Sequence, residues 1–473
     1  MIRRPSETGF PRDILIAAVA MVVAFAVVAV SEFAPPPTPA APPPLETFNT
    51  TFVVGPAGPN LTPRLFGLSA QAAALATPWL QDLVRAGPFS QFRWGPLDDY
   101  TDLRAGVVYS DNGVTLPVGS DNIVGFVAFC RSLSCHAVLS VPGEIDDTVL
   151  AVETVLYVEH VLGFHPDYWS IGNEPRGWIH YGIPWFQWRS TDRSMVTADG
   201  YAHEVQRYIA AIRTVDPSAR FIGIQSSGQG SDVAKNWIGP VAALNGPNLS
   251  AVAYHPYPGG NGFVGATVSD FFASLSNASD FPNSYPDSQA AVDAACRCHI
   301  PLWAGEYNAA SGGNFTPFMI GYPEVPYLAA GLVLAMQRGV PEVTYFTLQS
   351  SALNSSGYGL IYTNVPRPSY YLYATILANL TIGSVHNVTF LQAPPQVVGV
   401  EVRNGTRLSL LIADANPYDG ISFDLADAGF GALPGTAWSF DPSMSHPTVT
   451  VFNGSLPDRW TVPPEGVLLL NVG

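Results

Sequence analysis

The chain has 473 residues, 47% of them hydrophobic and only 12% charged, with a formal net charge of −16 and a pI of about 4.8. That apolar share excludes an intrinsically disordered chain, and the acidic balance argues against nucleic acids or other polyanions as partners. The length suits one large domain and a smaller one.

The N-terminus reads as an address. Arg3, Arg4 and Arg12 precede an uncharged run from Ile14 to Val30. Positive charge before such a run favours a cytoplasmic N-terminus and an exported body, so residues 1–31 are expected to form a signal anchor. Cleavage of that segment is the alternative. Residues 32–46, with Pro35-Pro36-Pro37 and Pro42-Pro43-Pro44, form an extended spacer. Glycosylation triplets fit an extracellular or cell-surface body. They begin at Asn49, Asn60, Asn248, Asn277, Asn314, Asn354, Asn379, Asn387, Asn404 and Asn453, ten where composition gives roughly three. The cysteines fall in two close pairs, Cys130 with Cys135 and Cys296 with Cys298. They read as local disulfides or as one link between the two segments. Zinc is the rival reading and is discounted, because the full set of histidines and supporting acids it requires is not clustered around them.

Phe48 to Val54 alternates as a short strand. From about Leu61 an apolar strand is followed repeatedly by a helix-length segment. Strands are expected at Leu65–Leu68, Gln91–Trp94, Ala137–Val141, Tyr168–Ile171, Phe221–Ile224, Ala251–Tyr254, Leu302–Trp303 and Val343–Leu348. Helices are expected near Asn122–Ser132, Val149–Val161, Gly200–Thr214 and Val325–Gln337, with Val205, Tyr208, Ile209 and Ile212 on one face. Eight such units over residues 61–372 predict an α/β fold, a closed (β/α)8 TIM barrel. A doubly wound open sheet would carry a glycine-rich phosphate turn, and the chain has none. Beyond about Thr375 the rhythm changes to short strands separated by turns, which predicts a C-terminal β-sandwich of residues 373–473 completed by 47–60.

In such a barrel the active site lies at the C-terminal ends of the strands. Those ends carry Arg93, Asn173-Glu174-Pro175, His255-Pro256-Tyr257 and Trp303-Ala304-Gly305-Glu306-Tyr307. Two carboxylates on opposite walls suit glycoside hydrolysis, with one protonating the leaving oxygen and the other attacking the anomeric carbon. Glu174 is the expected acid/base, beside Asn173 for a sugar hydroxyl, and Glu306 the expected nucleophile. Arg93 would keep Glu306 ionised, Tyr257 would orient it and Trp303 would stack on the sugar. Plainer readings stay open: Arg93 as a floor ion pair, and His255 and Trp303 as core residues. Glu144, Asp98 and Asp99 also follow strands but lack the strand-then-carboxylate pattern. No metal or nucleotide cofactor is called for.

These segments resemble the retaining glycoside hydrolases of clan A, most closely family 79, the β-glucuronidase and heparanase family. Ile171-Gly172-Asn173-Glu174-Pro175 is similar to the acid/base motif, and Leu302-Trp303-Ala304-Gly305-Glu306 followed by Gly312-Gly313 to the nucleophile segment. Leu65-Phe66-Gly67-Leu68-Ser69 and Phe92-Arg93-Trp94-Gly95 also fit. The resemblance implies retaining cleavage of a β-glucuronide, with the uronate carboxylate held by backbone amides of a loop like Asn354 to Gly359, including Gly357, Tyr358 and Gly359. The chain departs from that family in having Ser311 where a tyrosine is common, with Tyr307 as a possible substitute, and Gln71 where endo-acting members carry an acid. Its acidic balance also speaks against heparan sulfate. A β-galactoside, β-xyloside or β-glucoside as substrate, or a sugar-binding surface glycoprotein without activity, are the alternatives.

Overall fold

The computed structural model describes residues 46–473 apart from 71–77, 95–99, 103–106, 110–114, 118–122, 142, 144–146, 178–196, 261–266, 312–317, 320, 351–357, 363, 395, 426–429 and 431–432. The expected anchor and spacer lie outside these residues. Among the described residues no helix is long and apolar enough to cross a membrane.

Eight parallel strands close into one barrel. In chain order they are Phe66–Ser69, Gln91–Trp94, His136–Val141, Tyr168–Ile171, Phe221–Ser227, Leu249–His255, Leu302–Tyr307 and Val343–Tyr345. Strand eight pairs with strand one through Val343 and Phe66, so no edge is left open. Buried on both faces, the strands read as short apolar runs, which is why their positions were legible. Strands five, six and seven run longer than expected, and each extension carries the polar residues of its tip. Strand eight ends three residues early, at Tyr345.

The helices between them follow local signals. Asp147 caps Thr148–Leu156 by accepting from the N–H groups of Val149 and Leu150, and Thr197 caps Ala198–Ile212. The second helix buries Tyr201, Val205, Tyr208, Ile209 and Ile212 against the barrel. Its Tyr201 hydroxyl donates to the carbonyl of Ile171, tying the helix to the tip of strand four.

Helix Glu324–Arg338 is buried along most of its length, because the sandwich covers the side that the barrel leaves open. At Gly331 an added Cβ would lie 2.0 Å from the Tyr307 hydroxyl, so only glycine fits. Gln337 donates to the carbonyl of Gly399 at 2.7 Å, fastening the helix to the sandwich.

The sandwich has a seven-stranded sheet ordered Thr51–Asn60, Ser384–Leu391, Val397–Asn404, Arg407–Asp414, Val467–Val472, Gly435–Phe440 and Thr448–Phe452. A three-stranded sheet of Glu46–Asn49, Asp419–Asp424 and Arg459–Val462 faces it. The single early strand expected at Phe48–Val54 is thus two strands, one joining each sheet. Phe52, Leu410, Ile412, Ile421, Phe423 and Leu470 form the core between them. Strands Asp419–Asp424, Gly435–Phe440 and Arg459–Val462 had not been expected, because their apolar residues are few and interrupted. Both disulfides are local, Cys130 with Cys135 and Cys296 with Cys298, and no link joins the two segments.

Burial pushes several carboxyls upward. Glu324 reaches about 8 despite the Arg367 charge and hydrogen bonds from Ser369 and Tyr345. Glu342 reaches about 8 despite hydrogen bonds from Thr344 and Gln91 and the charges of Arg64 and Arg93. Asp414 reaches about 8, with Asp419 and Glu465 adding to burial and the Asn416 N–H opposing it. The folded chain therefore holds protons that the unfolded chain has released, and stability falls as pH rises from the ordinary carboxyl range to about 8. The thermal midpoint should be highest near pH ~4.5 and decline towards pH ~8, with Asp414→Asn flattening its share of the slope in a pH-resolved melting series. Gly331→Ala should cost about 1–3 kcal/mol by overpacking against Tyr307, readable as a lower denaturant midpoint.

Candidate active site

Strand four ends in a sharp turn. Gly172 has φ 61° and Glu174 φ 48°, both left-handed. For a glutamate this conformation is uncommon and costly, and the surroundings enforce it. The Gly172 N–H donates to Val141 O at 2.9 Å and the Glu174 N–H to Gln225 O at 2.8 Å. The turn carries Asn173 and Glu174 out of the strand and over the barrel mouth.

Strand seven breaks its own alternation. Gly305 faces the interior, since a Cβ there would strike the Gln225 amide oxygen at 2.1 Å. Glu306 faces the interior as well, and the register against strand eight is irregular between Ala304 and Tyr307. A bulge of this kind re-aims a side chain beside a site. Strand five has a similar irregularity between Ile222 and Gln225, which turns Gln225 inward.

Arg93 joins the two carboxylate-bearing segments. Its Nη1 lies 2.5 Å from Glu306 Oε1, both side chains being 2% exposed, and its Nη2 donates to the Asn173 amide oxygen. Tyr257 donates to Glu306 Oε2 at 2.8 Å. Burial first, then the Glu306 charge, pushes the Tyr257 phenol well above its ordinary value, so it stays a donor. His255 is fully buried, with Nδ1 2.7 Å from Glu174 Oε1 and 3.4 Å from Glu306 Oε2, and Nε2 3.2 Å from Gln225 Oε1. One oxygen each of Glu174 and Glu306 and one His255 nitrogen lie within 4.8 Å of one another. Glu306 thus sits between two donors, Arg93 and Tyr257, whereas Glu174 faces the His255 imidazole.

The same trio is the cluster, among the described residues, with spacing fit for a metal ion. Arg93 and Tyr257 already occupy the two oxygens of Glu306, and a cation there would have to displace or face a guanidinium. That donor set suits a sugar better than a metal.

Arg93, Asn173, Glu174, His255, Tyr257 and Glu306 are brought together. Tyr358 stands nearby, its ring 6.2 Å from that of Tyr257, its phenol raised by burial and by the charges of Glu306 and Glu174. Three expectations are corrected. Trp303 does not reach the mouth: it plugs the barrel interior with Val138, Ile222 and Ala253 and meets Tyr168, the first residue of strand four, edge-on at 5.1 Å. Tyr307 points out of the barrel, against Phe281 and Gly331, because the bulge spends the inward position on Glu306. The Gly359 N–H donates to Ser350 Oγ at 3.0 Å and is not open to a substrate carboxylate. Gln71 and Gly357 lie outside the described residues, as do Glu144, Asp98 and Asp99.

Gln225 was missed. It accepts near His255 through its side chain and holds the Glu174 N–H through its carbonyl. A polar residue directly after the apolar run Phe221–Ile224 was the available signal, but a two-residue period does not aim it inward. Asn308 also serves the site indirectly, donating to the carbonyls of Phe346 and Tyr358 and so holding the loop after strand eight.

Comparison with solved structures finds the same fold in several glycoside hydrolases. The family 51 α-L-arabinofuranosidase AbfB from Bifidobacterium longum matches with a TM-score of 0.66 at 15% identity, over 92% of this chain and 100% of its own. The family 44 xyloglucanase from Paenibacillus polymyxa has a TM-score of 0.66 at 13% identity, over 90% and 99%. CelM2, a bifunctional glucanase-xylanase from a metagenome library, has a TM-score of 0.66 at 14% identity, over 90% and 99%. These likenesses establish the fold, a (β/α)8 barrel with a C-terminal β-sandwich. The families named there are 51 and 44, not the family 79 that the motifs resemble. No family model and no curated relative matches the sequence.

Arg93→Lys keeps the charge but loses the fork that holds Glu306 and Asn173 together. It should lower kcat/KM about 100-fold, as a misplaced reacting group does, with a smaller effect on the melting midpoint. Equal retention of activity would show that the bridge is not needed.

Proposed function

We propose that this protein is an exported retaining glycoside hydrolase. Glu306 attacks the anomeric carbon while Glu174 protonates the departing oxygen, giving a covalent glycosyl-enzyme. Glu174 then takes a proton from water, which displaces Glu306 and releases the sugar with its configuration kept. The observation that carries this reading is the short distance between the two carboxylates, within 4.8 Å for one oxygen of each. An inverting pair stands roughly 6.5–9.5 Å apart to admit water. The contrast in neighbours supports the division of roles, since Arg93 and Tyr257 both donate to Glu306. Asn173, ordered by Arg93, would hold the sugar hydroxyl next to the anomeric carbon.

For the sugar, the motifs favour a β-glucuronide. The engagement of the Gly359 N–H with Ser350 favours a second reading, a neutral glycoside, because it removes one of the amides that a uronate would use. The arabinofuranosidase and xyloglucanase named above make pentosides and glucans the natural competitors in a test. The uncharged run at residues 14–30 supports export and anchoring by that segment alone, with carbohydrate as the partner.

Glu306→Gln should abolish turnover of whichever nitrophenyl glycoside the wild type cleaves, in a panel of β-glucuronide, β-xyloside, β-glucoside, β-galactoside and α-L-arabinofuranoside. Undiminished turnover would remove Glu306 from the nucleophile role. Glu174→Ala should cost about 100- to 10,000-fold on substrates with poor leaving groups and far less on nitrophenyl ones. Proton NMR of the first-formed product should show retained configuration.

A further inference from the structure

The glycosylation triplets sort by surface and by sheet position. Eight of the acceptor asparagines are described: Asn49, Asn60, Asn277, Asn379, Asn387, Asn404 and Asn453 are exposed, and Asn248 is half-buried. Of the eight described asparagines outside a triplet, Asn173, Asn245, Asn308 and Asn416 are buried. Chance triplets would follow the same burial as the rest, and these do not.

Their side-chain bonding narrows the set. The amide nitrogens of Asn277, Asn379 and Asn404 are spent on Asp280, Thr375 and Ile382. Asn49 uses only its oxygen, which accepts from Arg459. Asn60, Asn387 and Asn453 have no side-chain hydrogen bond among the described residues, leaving the nitrogen that would carry a sugar open.

Three of these open acceptors stand at the ends of sheet-edge strands. Thr51–Asn60 and Thr448–Phe452 are the two outer strands of the seven-stranded sheet, and Glu46–Asn49 is an outer strand of the three-stranded one. Asn60 and Asn49 close their strands, and Asn453 directly follows its own. These same strands expose large apolar residues: Val53 at 56%, Val449 at 52%, Val451 at 65% and Phe48 at 37%. Open edges with apolar side chains template pairing with another chain, and proteins blunt them with charge, proline or cover. Thr448–Phe452 carries neither charge nor proline, whereas Pro56 and Pro59 protect only the far half of Thr51–Asn60. The fourth edge, Arg459–Val462, starts with an exposed Arg459 and runs into Pro463-Pro464; it has no acceptor.

We propose that the protein is N-glycosylated at Asn49, Asn60 and Asn453, and that these glycans cap the open sheet edges of the sandwich against self-association. The modification joins the asparagine amide nitrogen to C1 of an oligosaccharide. The donor's C1–O bond breaks, a polyprenyl-linked phosphate or pyrophosphate leaves, and the amide proton is lost to a base. Pro63, directly after the acceptor Thr62, makes partial occupancy the expectation at Asn60. The inference rests on export and is independent of the hydrolase reading.

The test uses the full chain recovered from cells that export it. Peptide mass spectrometry should find saccharide mass on Asn49 and Asn453 and a mixture at Asn60; bare peptides at all three overturn the proposal. The glycosylated protein should sediment as a monomer. Enzymatic deglycosylation, or the pair Thr51→Ala and Ser455→Ala that keeps each asparagine but destroys its triplet, should shift it to larger species. Val449→Glu with Val451→Glu should restore the monomer in the deglycosylated protein. A deglycosylated chain that stays monomeric at the same concentration overturns the capping role even if sugar is present.

Discussion

One guanidinium holds the candidate site together. Arg93 is buried at the tip of strand two and reaches both the nucleophile candidate on strand seven and the asparagine beside the acid candidate on strand four. A buried charge is tolerable only if it is paired and hydrogen-bonded. Glu306 and Asn173 therefore stabilise Arg93 as much as it orders them. Tyr257 and His255 enclose the same carboxylates from strand six. Four strands thus meet on a pair of carboxylates, and closure of the barrel brings those four tips within reach of one another.

Closure alone does not aim the side chains. Regular alternation puts Trp303 and Gly305 inward and would turn Glu306 away. The irregularity before Tyr307 returns Glu306 to the interior, and a second one on strand five does so for Gln225. Below them Trp303 and Tyr168 fill the barrel, with Arg64 and Arg220 donating to the Tyr168 hydroxyl at 3.0 Å each. This packed floor supports the site from beneath, and it explains how an aromatic residue three positions from the nucleophile candidate can be remote from any substrate. The turn at Gly172 and Glu174 stores local strain that the hydrogen bonds to Val141 and Gln225 offset.

The sandwich is bound to this machinery through helix Glu324–Arg338. One face of the seven-stranded sheet, with Val400, Val402, Leu411 and Leu469, shares a continuous core with the barrel, while Leu410, Ile412 and Leu470 face the smaller sheet. Each part carries a buried carboxyl, Glu324 in the helix and Asp414 in the sheet, and burial pushes both up to about 8. Barrel and sandwich therefore share a dependence on acidic surroundings that adds to the self-repulsion of a chain with a net charge of −16.

The sequence by itself determined the barrel, the change to a β-sandwich and the carboxylates at strands four and seven. Apolar runs ending abruptly in polar residues are a local signal that needs no knowledge of neighbours. Trp169-Ser170-Ile171 before Asn173-Glu174 and Leu302 to Ala304 before Glu306 carried it plainly. Short, interrupted strands such as Asp419–Asp424 carried little of it and went unread. Only the tertiary structure decided which way the tips point: that Arg93, expected beside Glu306, also reaches Asn173, that Gln225 belongs with His255, that Trp303 is floor and Tyr307 is outer core, and that Gly359 is already bonded to Ser350. The reason is physical. A bulge shifts every later side chain to the other face of its strand, and it is set by pairing with a neighbour far away in the chain, which no local pattern records.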